Sequence, residues 1–211
     1  MFISFEGIDG CGKTTQAEML CDYFKSNGKK VILTKEPGGG GQFSLAIRKL
    51  LSTSDTLILS ELLAIYAARN EHIKKVIIPH LNNNFIVICD RFIDSSIAYY
   101  CYNDPKQICI SSKSRQLIQT LQTAVGDIMP DITILIDTDP VIAEKRRNSR
   151  LHQVHKYDFD SLDKVEKIRN SYLELANQES ERIFKINGDE DVNVVFNNII
   201  DYLINTVKKV I

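Results

Sequence analysis

The sequence predicts an α/β fold, a five-stranded parallel sheet flanked by helices and built as a single domain over residues 1–211. Three observations predict it. Short apolar runs alternate with stretches of helical spacing, and no internal repeat, low-complexity tract or Pro/Gly/Ser linker divides the chain. Runs such as Ile86-Val87-Ile88-Cys89 and Ile132-Thr133-Ile134-Leu135-Ile136 are apolar and β-branched without polar alternation, as strands covered on both faces are. Finally, a glycine-rich turn joins the first apolar run, Phe2 to Phe5, to a helical stretch in which Ala17, Leu20 and Phe24 recur on one face.

That turn carries the most chemistry. Gly7-x-x-x-x-Gly12-Lys13-Thr14 is a Walker A pattern in its required context, strand before and helix after. Glycines let backbone N–H groups converge on phosphate oxygens, and the helix N-terminus adds a favourable partial charge. Lys13 can bridge β- and γ-phosphates, and the Thr14 hydroxyl can ligate Mg²⁺. Further strands are expected near 30–35, 85–89, 132–137 and 183–187, after one at 2–6. Helices are expected near 13–26, 44–52, 57–81, 94–102, 112–124, 139–150, 160–180 and 191–209.

Composition bounds the function. Lys plus Arg total 26 against 27 for Asp plus Glu, a balance that argues against bulk binding to nucleic acid or anionic membrane. Nothing ahead of the first strand resembles a signal peptide, and the apolar stretch Leu57 to Ala68, broken by Ser60 and Glu61, is too short to span a bilayer. Five cysteines (Cys11, Cys21, Cys89, Cys101 and Cys109) without a C-x-x-C pair read as reduced thiols of a cytoplasmic protein. Cys11 lies inside the phosphate loop, where the helix dipole could lower its pKa, although a small loop filler is the favoured reading.

In parallel α/β sheets ligands sit at the carboxyl ends of the strands, which singles out four loops. After the second strand, Glu36-Pro37-Gly38-Gly39-Gly40-Gly41 is either a surface loop or backbone that approaches a second ligand. Arg48, on the next helix, reads by itself as a surface arginine. Arg69 falls on the apolar face of the long helix with Ile65 and Ile73 and so wants an anion, either a structural carboxylate or a ligand phosphate. Asp90 at the end of the third strand stands where a carboxylate would hold Mg²⁺, and Arg91 beside it could grip a phosphate bidentately. After the fourth strand, Lys145-Arg146-Arg147 and Arg150 form either a solvated helix face or a basic lid, spanning about 147–158.

Taken in order, these pieces resemble the bacterial-type thymidylate kinases over essentially the whole chain. The resemblance rests on FEGIDGCGKTTQ, the EPGG at 36–39, Ile47 to Leu51, YAAR at 66–69, DRFIDSSIAYY at 90–100, Leu135-Ile136-Asp137, the arginine lid and Tyr172-Leu173-Glu174. It implies a P-loop nucleoside monophosphate kinase fold and transfer of the ATP γ-phosphate to dTMP with Mg²⁺, in a homodimer without nucleic acid or membrane partners. ATP would then be held by Gly7, Ile8, Asp9, Gly10, Cys11, Gly12, Lys13, Thr14 and Thr15, with Arg146 beneath the adenine. Thr14 and Asp90 would serve the metal. The acceptor would meet Asp9, Glu36, Pro37, Arg48, Ile65, Tyr66, Arg69, Arg91, Ser95, Ser96 and Tyr99.

Lys13, Asp9, Arg91 and Arg150 are the expected catalytic groups. The phosphate-loop interior, Ile8-Asp9-Gly10-Cys11, holds no base, so the lid must supply the transition-state cation; Arg150 falls on that position and Arg147 is the reserve. Members often carry Phe one turn before the base-contacting arginine. Here Ile65 stands there, with Tyr66 adjacent. Two other readings compete: a kinase for another acceptor such as dUMP, and a non-catalytic nucleotide switch. The switch would want a guanine-reading N-K-x-D motif, which the sequence lacks.

Overall fold

The computed structural model describes residues 1–100, 112–149 and 161–206. Strands β1 (Phe2–Glu6), β2 (Val31–Lys35), β3 (Ile86–Asp90), β4 (Ile132–Asp137) and β5 (Ile183–Asn187) form one parallel sheet in the order β2-β3-β1-β4-β5. Between them run α1 (Lys13–Ser26), α2 (Gln42–Thr53), α3 (Ile58–His72), α4 (Ile78–Asn82), α5 (Ile93–Tyr100), α6 (Ser112–Val125), α7 (Pro140–Asn148), α8 (Leu162–Gln178) and α9 (Val192–Thr206). The expected alternation and the five-stranded parallel sheet are both present.

Two cores cover the two faces, which explains the unbroken apolar strands. Ile3, Phe5, Ile88, Ile134 and Ile136 pack with Leu20 and Phe24 of α1, Ile168 of α8 and Ile199 of α9. Phe2, Val87 and Cys89 pack with Leu62 and Tyr66 of α3, Phe92 and Ile118. Alternation along β1 puts Ser4 and Glu6 on the Phe2 face, where Ser4 Oγ and Thr133 Oγ1 share a hydrogen bond of 2.7 Å.

One expected element differs. The helix read over 57–81 is interrupted by a π-helical turn, Ile73–Ile77, before α4. Pro79 is the local cause: it has no N–H for the Lys75 carbonyl and its ring would crowd that carbonyl, a conflict that widening the helix relieves. The turn directly follows Arg69 and His72, so a sequence constraint and a site meet at one place. Lid residues 150–158, with Arg150, Cys101 and Cys109, lie outside the described residues. Among the described residues no helix is long and apolar enough to cross a membrane.

Candidate active site

All five strands end at one edge of the sheet. The phosphate loop follows β1, Glu36 follows β2, Arg91 follows β3, Thr138 follows β4 and Gly188 follows β5. The register fixes their relative heights: Phe5 pairs with Asp90, Lys35 with Asp90, and Asp137 with Asn187.

Helix α1 starts at Gly12, left-handed at φ 103°, and no side chain caps its first turn. Its leading N–H groups and the loop amides therefore face outward as an anion cradle. Gly10 (φ 90°) must be glycine on two counts, because a Cβ would also run into the Ala143 carbonyl of α7 and the Arg147 side chain. The loop is thus clasped from above by the helix that leads into the lid. Lys13 is 5 % exposed and lies over the loop, its Nζ donating to the Ile8 carbonyl at 3.0 Å and standing 3.6 Å from Asp9 Oδ1. Thr15 is exposed on the helix side. Burial pushes the Cys11 thiol above its usual 9.0 and the Lys13 charge only partly offsets it. Desolvation thus outweighs the helix dipole, and Cys11 is a loop filler rather than an activated thiol.

The Thr14 hydroxyl donates to Asp90 Oδ2 at 2.5 Å, while the buried Asp90 Oδ1 has no partner among the described residues. Two oxygen donors with one valence unspent suit Mg²⁺, which keeps most of its shell as water and phosphate. No group of three His, Cys, Asp or Glu converges among the described residues, so these residues fit an octahedral cation shared with a nucleotide rather than a dedicated protein cage.

Arg91 is the hub of a polar cluster beside the phosphate loop. Its backbone is left-handed (φ 72°), a strained conformation for a non-glycine residue that persists only when the surroundings impose it. Nη2 donates to Asp9 Oδ1 at 2.7 Å and to the Tyr99 hydroxyl at 3.1 Å; Nη1 donates to Ser95 Oγ at 3.0 Å and to the Tyr172 hydroxyl at 3.2 Å. The Tyr99 ring lies 5.1 Å from the guanidinium carbon, and its hydroxyl donates to Asp9 Oδ2 at 3.2 Å. Burial alone would raise the Asp9 carboxyl, yet the Arg91 and Lys13 charges hold it well below the usual carboxylate range. Asp9 is therefore an anion joining the phosphate loop to this cluster.

Arg69 resolves in favour of a structural carboxylate with something left over. It is 1 % exposed; Nε donates to Glu36 Oε2 at 2.7 Å, and Nη2 to the Phe92 carbonyl at 3.1 Å and Ser96 Oγ at 3.0 Å. Nη1 is buried without a partner among the described residues. The guanidinium carbon sits 4.5 Å from the Tyr66 ring and 4.9 Å from Phe92. Tyr66 is 2 % exposed, lies against Arg69, and directs its hydroxyl at the Ile118 carbonyl. Ile65, half-buried, is the residue of that pair with exposed surface. Ser96 and Glu36 are likewise buried supports of Arg69 rather than open surface.

In the glycine loop Gly39 and Gly40 pack on His72: a Cβ on Gly40 would lie 2.6 Å from the His72 backbone nitrogen, so the chain's own α3 comes close there. His72 Nδ1 meets Glu36 Oε1 at 2.9 Å and Nε2 meets Thr34 Oγ1 at 2.7 Å, tying the loop to the Arg69 site. Pro37 follows a cis peptide, and its carbonyl accepts from half-buried Arg48 at 2.9 Å. Arg146 donates to the carbonyls of Gly188 (2.6 Å), Asp189 (3.3 Å) and Glu190 (3.4 Å), bracing the loop after β5.

Sequence reasoning gave no role to Glu6, His72, Tyr172 or the Arg169–Asp137 pair (2.7 Å), although Glu6, Asp137 and Tyr172 stood in pieces that carry the resemblance. A carboxylate closing an otherwise apolar strand was a usable signal for Glu6. Periodicity hid Tyr172, which lies in register with Val165, Ile168 and Leu175 on the buried stripe of α8.

Comparison with known proteins agrees with this geometry. The sequence model described as thymidylate kinase matches residues 5–199. The chain is 42% identical over 207 residues to a thymidylate kinase of Wolbachia pipientis subsp. Culex pipiens (strain wPip), covering 96% of this chain and 95% of that one. To a thymidylate kinase of Orientia tsutsugamushi (strain Ikeda) it is 37% identical over 212 residues, covering 98% and 94%. The crystal structure of thymidylate kinase from Ehrlichia chaffeensis superposes with a TM-score of 0.75 at 35% identity, covering 96% of this chain and 98% of that one. The chain belongs to the thymidylate kinase family.

Proposed function

We propose that this chain transfers the γ-phosphate of ATP to dTMP, giving dTDP and ADP. The observation that supports the reading, beside family membership, is Asp9, which joins Lys13 of the phosphate loop to Arg91, a second cation site beyond the nucleotide cradle. A regulatory nucleotide switch needs only the cradle.

The roles divide as follows. The 7–14 loop and Lys13 take the ATP phosphates, and Arg146 borders the adenine side. Thr14 and Asp90 would hold Mg²⁺, which when bound neutralises charge on the β- and γ-phosphate oxygens. Arg91 and Arg48 take the dTMP phosphate, and Arg69 the thymine, with Ile65 and Tyr66 on the base side. Tyr99 and Asp9 border the sugar. Arg150 supplies the transition-state cation from the lid. Positioning and cationic stabilisation, rather than a strong base, are what a loose phosphoryl transition state requires.

The chain acts as a single domain, cytoplasmic and dimeric. Support for the homodimer is the exposed apolar surface of α2 and α3, where Phe43, Leu50, Leu59 and Leu63 are 52%, 53%, 53% and 47% exposed. The test of function is ADP release from ATP and Mg²⁺ with dTMP, dUMP, dCMP, dGMP, dAMP and thymidine. Turnover led by dTMP is expected. Turnover led by another acceptor overturns the base assignment, and turnover with none overturns the enzyme reading.

A further inference from the structure

Glu6 sits at the last position of β1, fully buried, immediately ahead of the phosphate loop. Its Oε1 accepts from the Phe92 backbone N–H at 2.7 Å. Its Oε2 accepts from Ser95 Oγ at 2.6 Å and from the Tyr172 hydroxyl at 3.1 Å. Those two hydroxyls are the same ones that accept from Arg91 Nη1. A serine or tyrosine hydroxyl has one proton. Ser95 Oγ and the Tyr172 hydroxyl also lie 2.9 Å apart, so these two hydroxyls and Glu6 Oε2 share two protons; with both protons on the Glu6 side, the oxygen lone pairs of Ser95 and Tyr172 face the guanidinium. The Phe92 N–H it captures belongs to the residue after the left-handed Arg91, whose own N–H goes to the Phe5 carbonyl at 3.0 Å. On the other side Arg69 holds the Phe92 carbonyl.

We propose that Glu6 is the positioning residue for the acceptor-phosphate arginine, fixing both the backbone corner and the side-chain partners of Arg91. The inference rests on the dTMP kinase reading and names a group that touches neither nucleotide. Burial, with the Asp94 charge behind it, pushes the Glu6 carboxyl up to about 7. The Ser95 hydroxyl, the Arg91 charge and the Phe92 N–H oppose that rise. Glutamine cannot replace Glu6. In one amide orientation its NH₂ faces the Phe92 N–H; in the other it faces both hydroxyls, whose protons must then leave the Glu6 side and disturb the lone pairs offered to Arg91.

The test is a cycle of Glu6→Gln and Tyr172→Phe in the full-length chain, reading KM for dTMP and for ATP separately. We expect Glu6→Gln to raise the dTMP KM about tenfold and Tyr172→Phe about threefold, with the ATP KM within about twofold of wild type in both. The double variant should stay near the Glu6→Gln value, because the two act through one guanidinium, whereas independent effects would multiply to about thirtyfold. Equal rises in both KM values, full multiplication, or an unchanged dTMP KM would each overturn the proposal. Should Glu6→Gln fail to fold, as a melting curve shows, an unchanged dTMP KM in Tyr172→Phe overturns it. Absence of dTMP turnover by the wild-type protein refutes the assigned function instead, so the two failures are distinct.

Discussion

Replacing Glu36 by Gln isolates the energetics of the acceptor wall. Glu36 and Arg69 are 4 % and 1 % exposed, and the carboxylate serves Arg69 Nε at 2.7 Å and His72 Nδ1 at 2.9 Å, one on each oxygen. An amide in that place loses the charge, although its oxygen can still accept from Arg69 Nε and its NH₂ can meet His72 Nδ1 once the imidazole carries its proton on Nε2, facing Thr34 Oγ1. The Arg69 guanidinium, whose Nη1 is already unpartnered, is left as a buried cation. Removing one partner of a buried pair costs about 3–5 kcal/mol, which for a chain of this size lowers the melting temperature by roughly 6–20 °C.

The assay is urea unfolding with the midpoint and slope fitted together, beside a thermal melt. A pH series adds a signed check. Burial would raise the Glu36 carboxyl, but Arg69 and His72 hold it below its usual 4.5. A depressed folded pKa contributes stability above the unfolded value that is lost as pH falls through the folded one. Wild type should therefore lose stability on acidification below about pH 4.5 more steeply than the Gln variant. An apolar double replacement, Glu36→Leu with Arg69→Met, should cost less than Glu36→Gln alone, because it strands no charge. If Glu36→Gln unfolds within about 1 kcal/mol of wild type, the pair behaves as a surface ion pair and the reasoning fails.

Other outcomes follow from the same geometry. Thr14→Val and Asp90→Asn should each raise the Mg²⁺ concentration for half-maximal rate on the order of tenfold; a metal titration at fixed ATP that is unchanged removes the pair from the metal site. Tyr66→Phe should leave the dTMP KM within about twofold while costing about 1 kcal/mol through the lost Ile118 carbonyl bond. Ile65→Ala should instead raise the dTMP KM roughly threefold or more, as one or two lost apolar groups do. Arg150→Ala should lower kcat at least about tenfold with KM little changed, the pattern of a contact made only in the transition state; a neutral result transfers the role to Arg147.

How much of this was written in the chain is visible residue by residue. The phosphate loop was legible because its chemistry is local: glycine spacing, lysine and threonine act within eight consecutive positions, between a strand and a helix that local periodicity reveals. The parallel sheet was legible for the same reason, since covering both faces leaves an apolar β-branched run wherever a strand passes. Residue type likewise pointed to Arg69 and Arg91, as arginines on apolar or strand-end positions demand anions.

Tertiary structure alone decided who meets whom. Glu36 reaches Arg69 and His72 across 33 and 36 positions, Asp90 reaches Thr14 across 76, and Tyr172 reaches Glu6 across 166. A hydrogen bond depends on geometry within a few tenths of an ångström, and no periodicity encodes that for residues on different elements. The same holds for Tyr66, which α3 sets against the Arg69 guanidinium, and for Gly39 and Gly40, which pack against His72. Sequence alone determined the kinds of group at the strand ends. The packing of helices on the sheet decided which of them were consumed by one another and which, like Arg69 Nη1 and Asp90 Oδ1, have no partner among the described residues.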